Sequence, residues 1–343
     1  MKQVELIIIG SGPAGLRAGR IAQKRGIEYV ILEKGDVCQA WREIRPSMPM
    51  LSPNHPQRDW TSISPEFPIW RLDVRRPYCS AAEFVYYLQE FSEHFSLNID
   101  THTTVRQLIR HTDIFEILTD KGVYSAPHVF NATGFFGNPF IPRIPGLRKN
   151  PIVTHSHLYQ NDFPFRNKRV LIVGGGNSAA EIAIDLVGHS QVFLMTRDKL
   201  QFFSKTKNLC HIRGISESFL MELISMELIR YIPEARISHV EGDTVYFNDE
   251  KLDVNAIICA TGYRAAISHL HGLDLKIDPR TKFPQTRDDG VSEGVDNLYF
   301  GGPLLYRRLG SLFIHGFIKF VGETLASIER KLRTSRRMKT RIN

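Results

Sequence analysis

Short apolar runs alternate along this chain with longer stretches whose apolar residues recur every three or four positions. The first run, VELIII at residues 4–9, is apolar except for Glu5 and reads as a strand covered on both faces. GSGPAG follows at once. Residues 13–25 then read as a helix with Ala14, Ala18, Ile21 and Ala22 on one face. Tyr29 to Leu32 is the next strand, ended by Glu33. From Val170 the same order returns: a strand to Val173, the turn GGGNSA, and a helix over 178–188 with Ala179, Ile182, Ala183 and Leu186 inward. A strand from Gln191 to Met195 follows, ended by Thr196 and Arg197.

The repetition goes further. Each half reaches a meander-like stretch, FEILTD-KG-VYSA in the first and TVYFNDEKLDV in the second. Each meander leads into a strand ending in Ala-Thr-Gly plus an aromatic, at 132–135 and again at 260–263. The pattern predicts an α/β fold of two Rossmann-like dinucleotide-binding domains. Each has three layers (meander, parallel sheet, helices), and the second domain is inserted into the first. The expected boundaries are 1–150 with 266–330 for the outer domain, 151–265 for the inserted one, and a tail at 331–343. LYFGGP and the helical run from 311 complete the outer domain. Residues 41–80, rich in Pro and aromatics, read as an irregular lobe, because so long a structureless stretch in a compact domain is usually functional. Phe84, Leu88, Phe91 and Phe95 mark a core-facing helix over 82–95. Residues 200–235 form a second lobe, basic first and helical after.

Composition changes this picture little. At roughly 150 residues per domain, 343 residues accommodate two. The net charge of +8 suggests nucleic acid, but residues 331–343 carry six Lys/Arg and no acid, leaving +2 for the body. The charge therefore belongs to a solvated tail, with at most a weak attraction to an anionic membrane face, and no nucleic acid is expected. Four cysteines, at 38, 79, 210 and 259, form no C-x-x-C pair, and their low count fits the cytoplasm. No metal site is expected, since His155 and His157 have no third ligand placed with them.

The chemistry lies in the turns. Gly10-x-Gly12-x-x-Gly15 follows a strand and opens a helix, which is the context that turns a weak motif into a pyrophosphate cradle. Pro13 and Ala14 fill its variable positions. Gly174-x-Gly176-x-x-Ala179 has the same context, with Asn177 and Ser178 between. Glu33 stands 23 residues after Gly10, and Arg197 stands 23 residues after Gly174. A carboxylate accepts hydrogen bonds from ribose hydroxyls and repels a 2′-phosphate, whereas a guanidinium pairs with that phosphate. The first site therefore suits FAD or NAD. The second suits NADPH, with Thr196 as an added hydroxyl donor and NADH still open. Two neighbouring sites with opposite ribose readers are what hydride transfer from a pyridine nucleotide to a flavin requires.

GSGPAGL at 10–16, LEKGD at 32–36, Trp41, NATG at 131–134, HSHLY at 155–159, VGGGNSAAEIA at 173–183, ATGY at 260–263 and LYFGGP at 298–303 span nearly the whole chain. On these residues the protein resembles the flavin-containing monooxygenase-like group of two-dinucleotide-domain flavoproteins, in its small bacterial form. The resemblance implies FAD and NADPH as cofactors. It adds Lys34, Trp41, Thr133, Gly134, Thr261 and Gly262 to the cofactor-binding set. It implies O2 activation by the reduced flavin and oxidation of a small molecule, a sulfide, an amine or a ketone. A homodimer is compatible with it. The family pattern is departed from at Lys149 and Pro151, where a Phe and a Gly are usual, and at Cys38 and Gln39, where two glycines are usual.

Asn54, in the Pro-rich lobe, is the catalytic candidate for oxygenation. Two alternatives stay open. One is an NADPH-dependent reductase of low-molecular-weight disulfides, with Cys38 as its redox thiol. The other is a non-enzymatic flavin- or nucleotide-sensing subunit.

Overall fold

A run of apolar residues is stable as a strand only where both of its faces are covered, and residues 4–9 meet that condition. The computed structural model describes residues 2–74, 77–200, 210–305 and 313–342, with side chains at 217–305 and 313–337 in the last two stretches. The chain runs through β1 (Lys2–Gln3), β2 (Leu6–Ile9), α1 (Pro13–Lys24), β3 (Tyr29–Leu32), α2 (Gln39–Arg42), β4 (Asn54–His55), β5 (Arg58–Asp59) and α3 (Ala81–His94). It continues through β6 (Ile99–Asp100), β7 (Val105–Arg110), β8 (Phe115–Thr119), β9 (Gly122–Ala126) and β10 (His128–Asn131). Then come β11 (Val153–His155), β12 (Arg169–Val173), α4 (Asn177–Leu186), β13 (Gln191–Met195), α5 (Cys210–Ser225) and β14 (Ile229–Ile232). The last elements are β15 (Ile237–Glu241), β16 (Thr244–Phe247), β17 (Glu250–Asp253), β18 (Ala256–Cys259), β19 (Leu298–Phe300) and α6 (Ile314–Ile342).

The chain divides into two compact units. The first comprises 1–42, 47–138 and 264–343; the second comprises 43–46 and 139–263. The division thus falls earlier than residue 150. Residues 139–150 go with the second unit because Phe140 N–H donates to Gly262 C=O at 2.9 Å and Leu147 is buried in that unit's core.

In the first unit, parallel strands lie in the order β19-β10-β2-β3-β6. Side-chain alternation then builds the layers. Leu6 and Ile8 pack with Leu16, Phe84, Phe91 and Leu325, from α1, α3 and α6. Ile7 and Ile9 pack with Phe115, Ile117 and Tyr124 of the second sheet, β1-β9-β8-β7. The second unit repeats the scheme with strand order β11-β18-β12-β13-β14. Val170 and Ile172 meet Ile182, Leu186 and Leu223 on one side. Leu171 meets Val245, Phe247 and Leu252 of the β15–β17 meander on the other. Both units are three-layer α/β folds with parallel central sheets.

The Pro-rich lobe is largely irregular, with the short hairpin of β4 and β5 inside it. Its anchor is Tyr87 on α3, whose hydroxyl accepts from Ile63 N–H at 2.9 Å and donates to Phe67 C=O at 3.0 Å. α3 starts at a capping box in which Ser80 and Glu83 cap each other's backbone N–H. In the second lobe, residues 201–209 and the Cys210 side chain lie outside the described residues.

The tail corrects an expectation. Residues 331–342 continue α6 rather than fray. Lys331 Nζ donates to Asn297 Oδ1 at 3.0 Å, and the Arg336 guanidinium forks onto both Glu5 oxygens at 2.6 Å. These two cations of the basic segment are thus engaged within the fold.

Candidate functional site

The first glycine turn joins β2 to α1, and its geometry follows from the three glycine positions. Gly10 has φ +97°, in the left-handed region. At Gly15 a Cβ would stand 1.8 Å from Gly10 C=O, so the helix packs back on the turn only with glycine there. Gly12 differs: a Cβ there would meet nothing within 4 Å. It is the N-cap of α1, no side chain caps its N-terminal N–H groups, and Pro13 takes the first helical position. Open space in front of uncapped N–H donors fits a dinucleotide pyrophosphate. Ala14 is buried in the helix-side core.

Glu33 ends β3 and is 5% exposed. Its Oε2 accepts from Ser11 N–H at 2.8 Å and Ser11 Oγ at 2.6 Å, and its Oε1 from Gly35 N–H at 3.4 Å. Ser11 Oγ in turn accepts from Cys38 N–H at 2.8 Å. The carboxylate therefore braces the turn itself, and Ser11 is a site residue that sequence reasoning missed although it sits inside the motif. Lys34 follows Glu33, its Nζ 3.6 Å from where a Cβ on Gly137 would lie. Trp41 packs edge-to-face on Phe84 and Phe136 at 4.8 and 5.4 Å.

The Ala-Thr-Gly strand end is tied down by its threonine. Thr133 Oγ1 donates to Ala266 C=O at 2.7 Å and accepts from Asn131 Nδ2 at 3.0 Å, and Gly134 follows with φ +62°. His269 Nε2 meets Asn131 Oδ1 at 2.8 Å, another residue that only the three-dimensional structure brings in. Burial holds His269 down to about 4, and His128, buried beside Tyr299, down to about 4 as well. A folded-state value below the unfolded one means that the unfolded chain binds more protons in between. Stability is therefore complete above about pH 6.5 and is lost as pH falls toward 4. His269 carries on the order of 3 kcal/mol of that loss. His269→Gln keeps an N–H donor for Asn131 and removes the titrating group. Urea unfolding between pH 7 and 4.5 should then show a shallower fall than wild type; equal slopes would rule His269 out as a source.

The second turn joins β12 to α4. Gly174 has φ +142° and sits so close to Ala260 that a Cβ would lie 2.3 Å from its carbonyl oxygen. Gly176 is the N-cap, with open space around it and no side-chain cap. Asn177 and Ser178 begin α4, and Ala179 is buried where the first turn has Gly15. After β13, Thr196 and Arg197 face different ways. Thr196 is 2% exposed and shares a hydrogen bond with Tyr231 at 3.1 Å. It is turned into the protein, so the expected extra hydroxyl donor is not offered to a ligand. The Arg197 side chain is 75% exposed and pairs with Asp198 at 3.1 Å.

Thr261 Oγ1 donates to Phe140 C=O, and Gly262 has φ +78°. His155 explains how that turn is held. Its Nδ1 accepts from His157 N–H at 3.0 Å, so its other nitrogen carries the proton and donates to Gly262 C=O at 3.0 Å. Burial lowers its basicity, in keeping with a neutral ring. Tyr159 donates to Asp185 on α4 at 2.6 Å, and Arg45 pairs with the same carboxylate at 3.0 Å.

The two catalytic candidates occupy structural positions. Asn54 is 2% exposed, and its Oδ1 accepts from Cys79 N–H at 2.7 Å. Cys38 is 1% exposed, with φ +56°. Burial pushes its thiol up to about 12 against the opposing pull of Arg42. Among the described residues Cys38, Cys79 and Cys259 are free thiols. Cys38 occupies a left-handed position, which is where a glycine is at ease.

The family model described as "Pyridine nucleotide-disulphide oxidoreductase" matches residues 7–302. A curated relative from Geobacillus kaustophilus, an uncharacterized oxidoreductase described as CzcO-like, is 30% identical over 91% of this chain and 94% of its own. A protein described as probable indole-3-pyruvate monooxygenase YUCCA1, from Arabidopsis thaliana, is 30% identical over 54% of this chain and 44% of its own. Among solved structures, the bacillithiol disulfide reductase Bdr (YpdA) from Staphylococcus aureus superposes with a TM-score of 0.85 at 23% identity, covering 96% of this chain and 99% of its own. That last likeness is one of fold.

Proposed function

From the premise that this chain belongs to the pyridine nucleotide-disulphide oxidoreductase family, and is an oxidoreductase, we propose that its first unit binds FAD and its second NADPH. We propose further that electrons pass from NADPH through the flavin to O2 and a small organic substrate. The observation that carries the cofactor assignment is the pair of uncapped glycine turns with opposite readers, Glu33 after one and Arg197 after the other. The flavin, when bound, supplies hydride acceptance and oxygen chemistry. The chain's own residues do the rest. The N–H groups at the start of α1 and α4 hold the two pyrophosphates. Glu33, braced by Ser11, keeps an ordered carboxylate at the first ribose. Thr133 and His155 hold the two Ala-Thr-Gly turns in shape. The overall balance is one substrate, one O2, one NADPH and one proton giving the oxygenated substrate, NADP+ and water. A sulfide, an amine or a ketone is the substrate class.

Oxygenation is favoured over thiol chemistry by Cys38. A buried thiol pushed up to about 12 contributes almost no thiolate at neutral pH, and the thiolate is the reactive form. Cys38→Ser should therefore leave the rate of NADPH oxidation within about twofold of wild type; a loss of NADPH-dependent disulfide reduction in that variant would restore the disulfide-reductase reading. The test of the main reading is direct. Purified protein should be yellow, NADPH should bleach it without oxygen, and admitting O2 with a sulfide should yield sulfoxide. A colourless protein that takes up no FAD would end the proposal.

A further inference from the structure

β13 and β14 lie side by side in the sheet of the second unit, and the chain beyond their carboxyl ends is laced together. Thr196 N–H donates to Ile232 C=O at 3.0 Å, and Ala235 N–H donates to Thr196 C=O at 2.9 Å. The Tyr231 hydroxyl accepts from Leu200 N–H at 3.1 Å and shares its other hydrogen bond with Thr196. These bonds hold the walls of an open cleft of about 600 Å3, to which Leu200, Tyr231 and Pro233 contribute. α5 adds Glu217 and Met221 to the lining. These two are four residues apart and so stand on one face of the helix, while Leu220 and Leu223 pack into the core beneath. Glu217 is only 9% exposed, whereas Met221 is 49% exposed. A concave site of this size, walled mainly by apolar groups with a carboxylate among them, fits a small heteroaromatic ring, and a thioether is a good surface for such a ring.

The place of the cleft in the second unit says which ring. In the strand order β11-β18-β12-β13-β14, the glycine turn follows β12 and Arg197 follows β13. A dinucleotide with its pyrophosphate on α4 and its adenosine ribose at Arg197 therefore runs from β12 toward β13. Its nicotinamide half lies on the β18 side, and its adenine, beyond that ribose, continues toward β14. The cleft begins at Lys199, two residues after Arg197, and reaches Pro233, just past β14. It thus lies at the carboxyl end of the strands, where α/β folds bind their ligands, and on the side to which the adenine points. Adenine presents two faces for apolar contact and an exocyclic amino group with two N–H donors. A carboxylate is an acceptor for that group and offers nothing to a ring with a carbonyl in its place.

We propose that this cleft seats the adenine of NADPH, with Met221 against the ring and Glu217 reading its amino group, so that the second unit selects the purine as well as the phosphate. The inference rests on the reading of that unit as the NADPH site. The full-length protein is titrated in a calorimeter with NADP+ and with its hypoxanthine analogue, in which a carbonyl oxygen replaces the amino group. Wild type should hold NADP+ about 10-fold more tightly than the analogue, and in Glu217→Ala the two dissociation constants should come within about twofold of each other. Met221→Ala should weaken both ligands about 3- to 5-fold and keep the preference. Equal binding of the two ligands by wild type would overturn the inference. So would a full preference surviving in Glu217→Ala. If Glu217→Ala does not fold, Met221→Trp carries the test. It fills the mouth of the cleft from a half-exposed position and should weaken NADP+ by more than about 20-fold; an unchanged dissociation constant there would place the adenine elsewhere. A wild type that binds no NADP+ would overturn the NADPH reading itself, and this inference with it.

Discussion

Gly12→Asp is expected to give a folded protein that holds no flavin. Gly12 has φ −69° and ψ −177°, which any residue adopts, and a side chain there meets no protein atom within 4 Å. It is also the N-cap of α1, where Asp is among the preferred residues and gains roughly 0.3 kcal/mol over Gly. The same carboxylate would sit where the proposed FAD places its pyrophosphate. It would take the N–H donors for itself and set a charge against the ligand. Loss of charge-assisted hydrogen bonds and added repulsion together amount to roughly 3 kcal/mol or more, an affinity loss of about 100-fold. The flavin-free melting temperature should be unchanged or slightly higher than wild type, while absorbance near the flavin maximum disappears. Gly15→Ala is the control, because its Cβ would collide with Gly10 C=O and cost folding itself. If Gly12→Asp retained a full complement of FAD, the first turn would not be the pyrophosphate site.

Much of this was legible in the residues alone, for a physical reason. A strand covered on both faces needs an unbroken apolar run, and a pyrophosphate turn needs glycines at fixed offsets. VELIII with GSGPAG, and its later copy, therefore announced the fold and marked the candidate site. The meanders and Ala-Thr-Gly ends were readable because side-chain alternation and turn chemistry are local. What stayed hidden depends on contacts distant in sequence. Nothing near Thr196 signals that Tyr231, far along the chain, will take its hydroxyl. Nothing near Asn131 signals His269. The basic run at 331–343 looked like a frayed tail because the partner of Arg336, Glu5, lies at the other end of the chain. Cys38 is the intermediate case. Its left-handed backbone was foreshadowed by the family's glycine at that position, and the Ser11 contact that fixes it was not.

Arg197→Glu should invert the coenzyme preference. The guanidinium is largely solvent-exposed and its partner in the fold is the adjacent Asp198, so its replacement leaves the fold intact, and surface changes of this kind are worth within about 0.5 kcal/mol of stability. Toward a 2′-phosphate the change is much larger. The wild-type fork gains about 1.5 kcal/mol, at the low end of the range for charged hydrogen bonds because the site is wet and Asp198 competes for it. Glutamate replaces that attraction with repulsion, and the two together approach 3 kcal/mol, or about 100-fold in kcat/KM for NADPH. A free ribose offers hydroxyl donors to the same carboxylate, as the first site offers Glu33, so kcat/KM for NADH should hold steady or rise a few fold. Ionic strength supplies an independent check. The wild-type KM for NADPH should climb with salt, and that dependence should flatten in Arg197→Ala, where this charge is no longer there to be screened. Equal losses with NADPH and NADH in Arg197→Glu would show that Arg197 does not read the phosphate, and the division of labour between an acid-ended and a base-ended turn would fall with it.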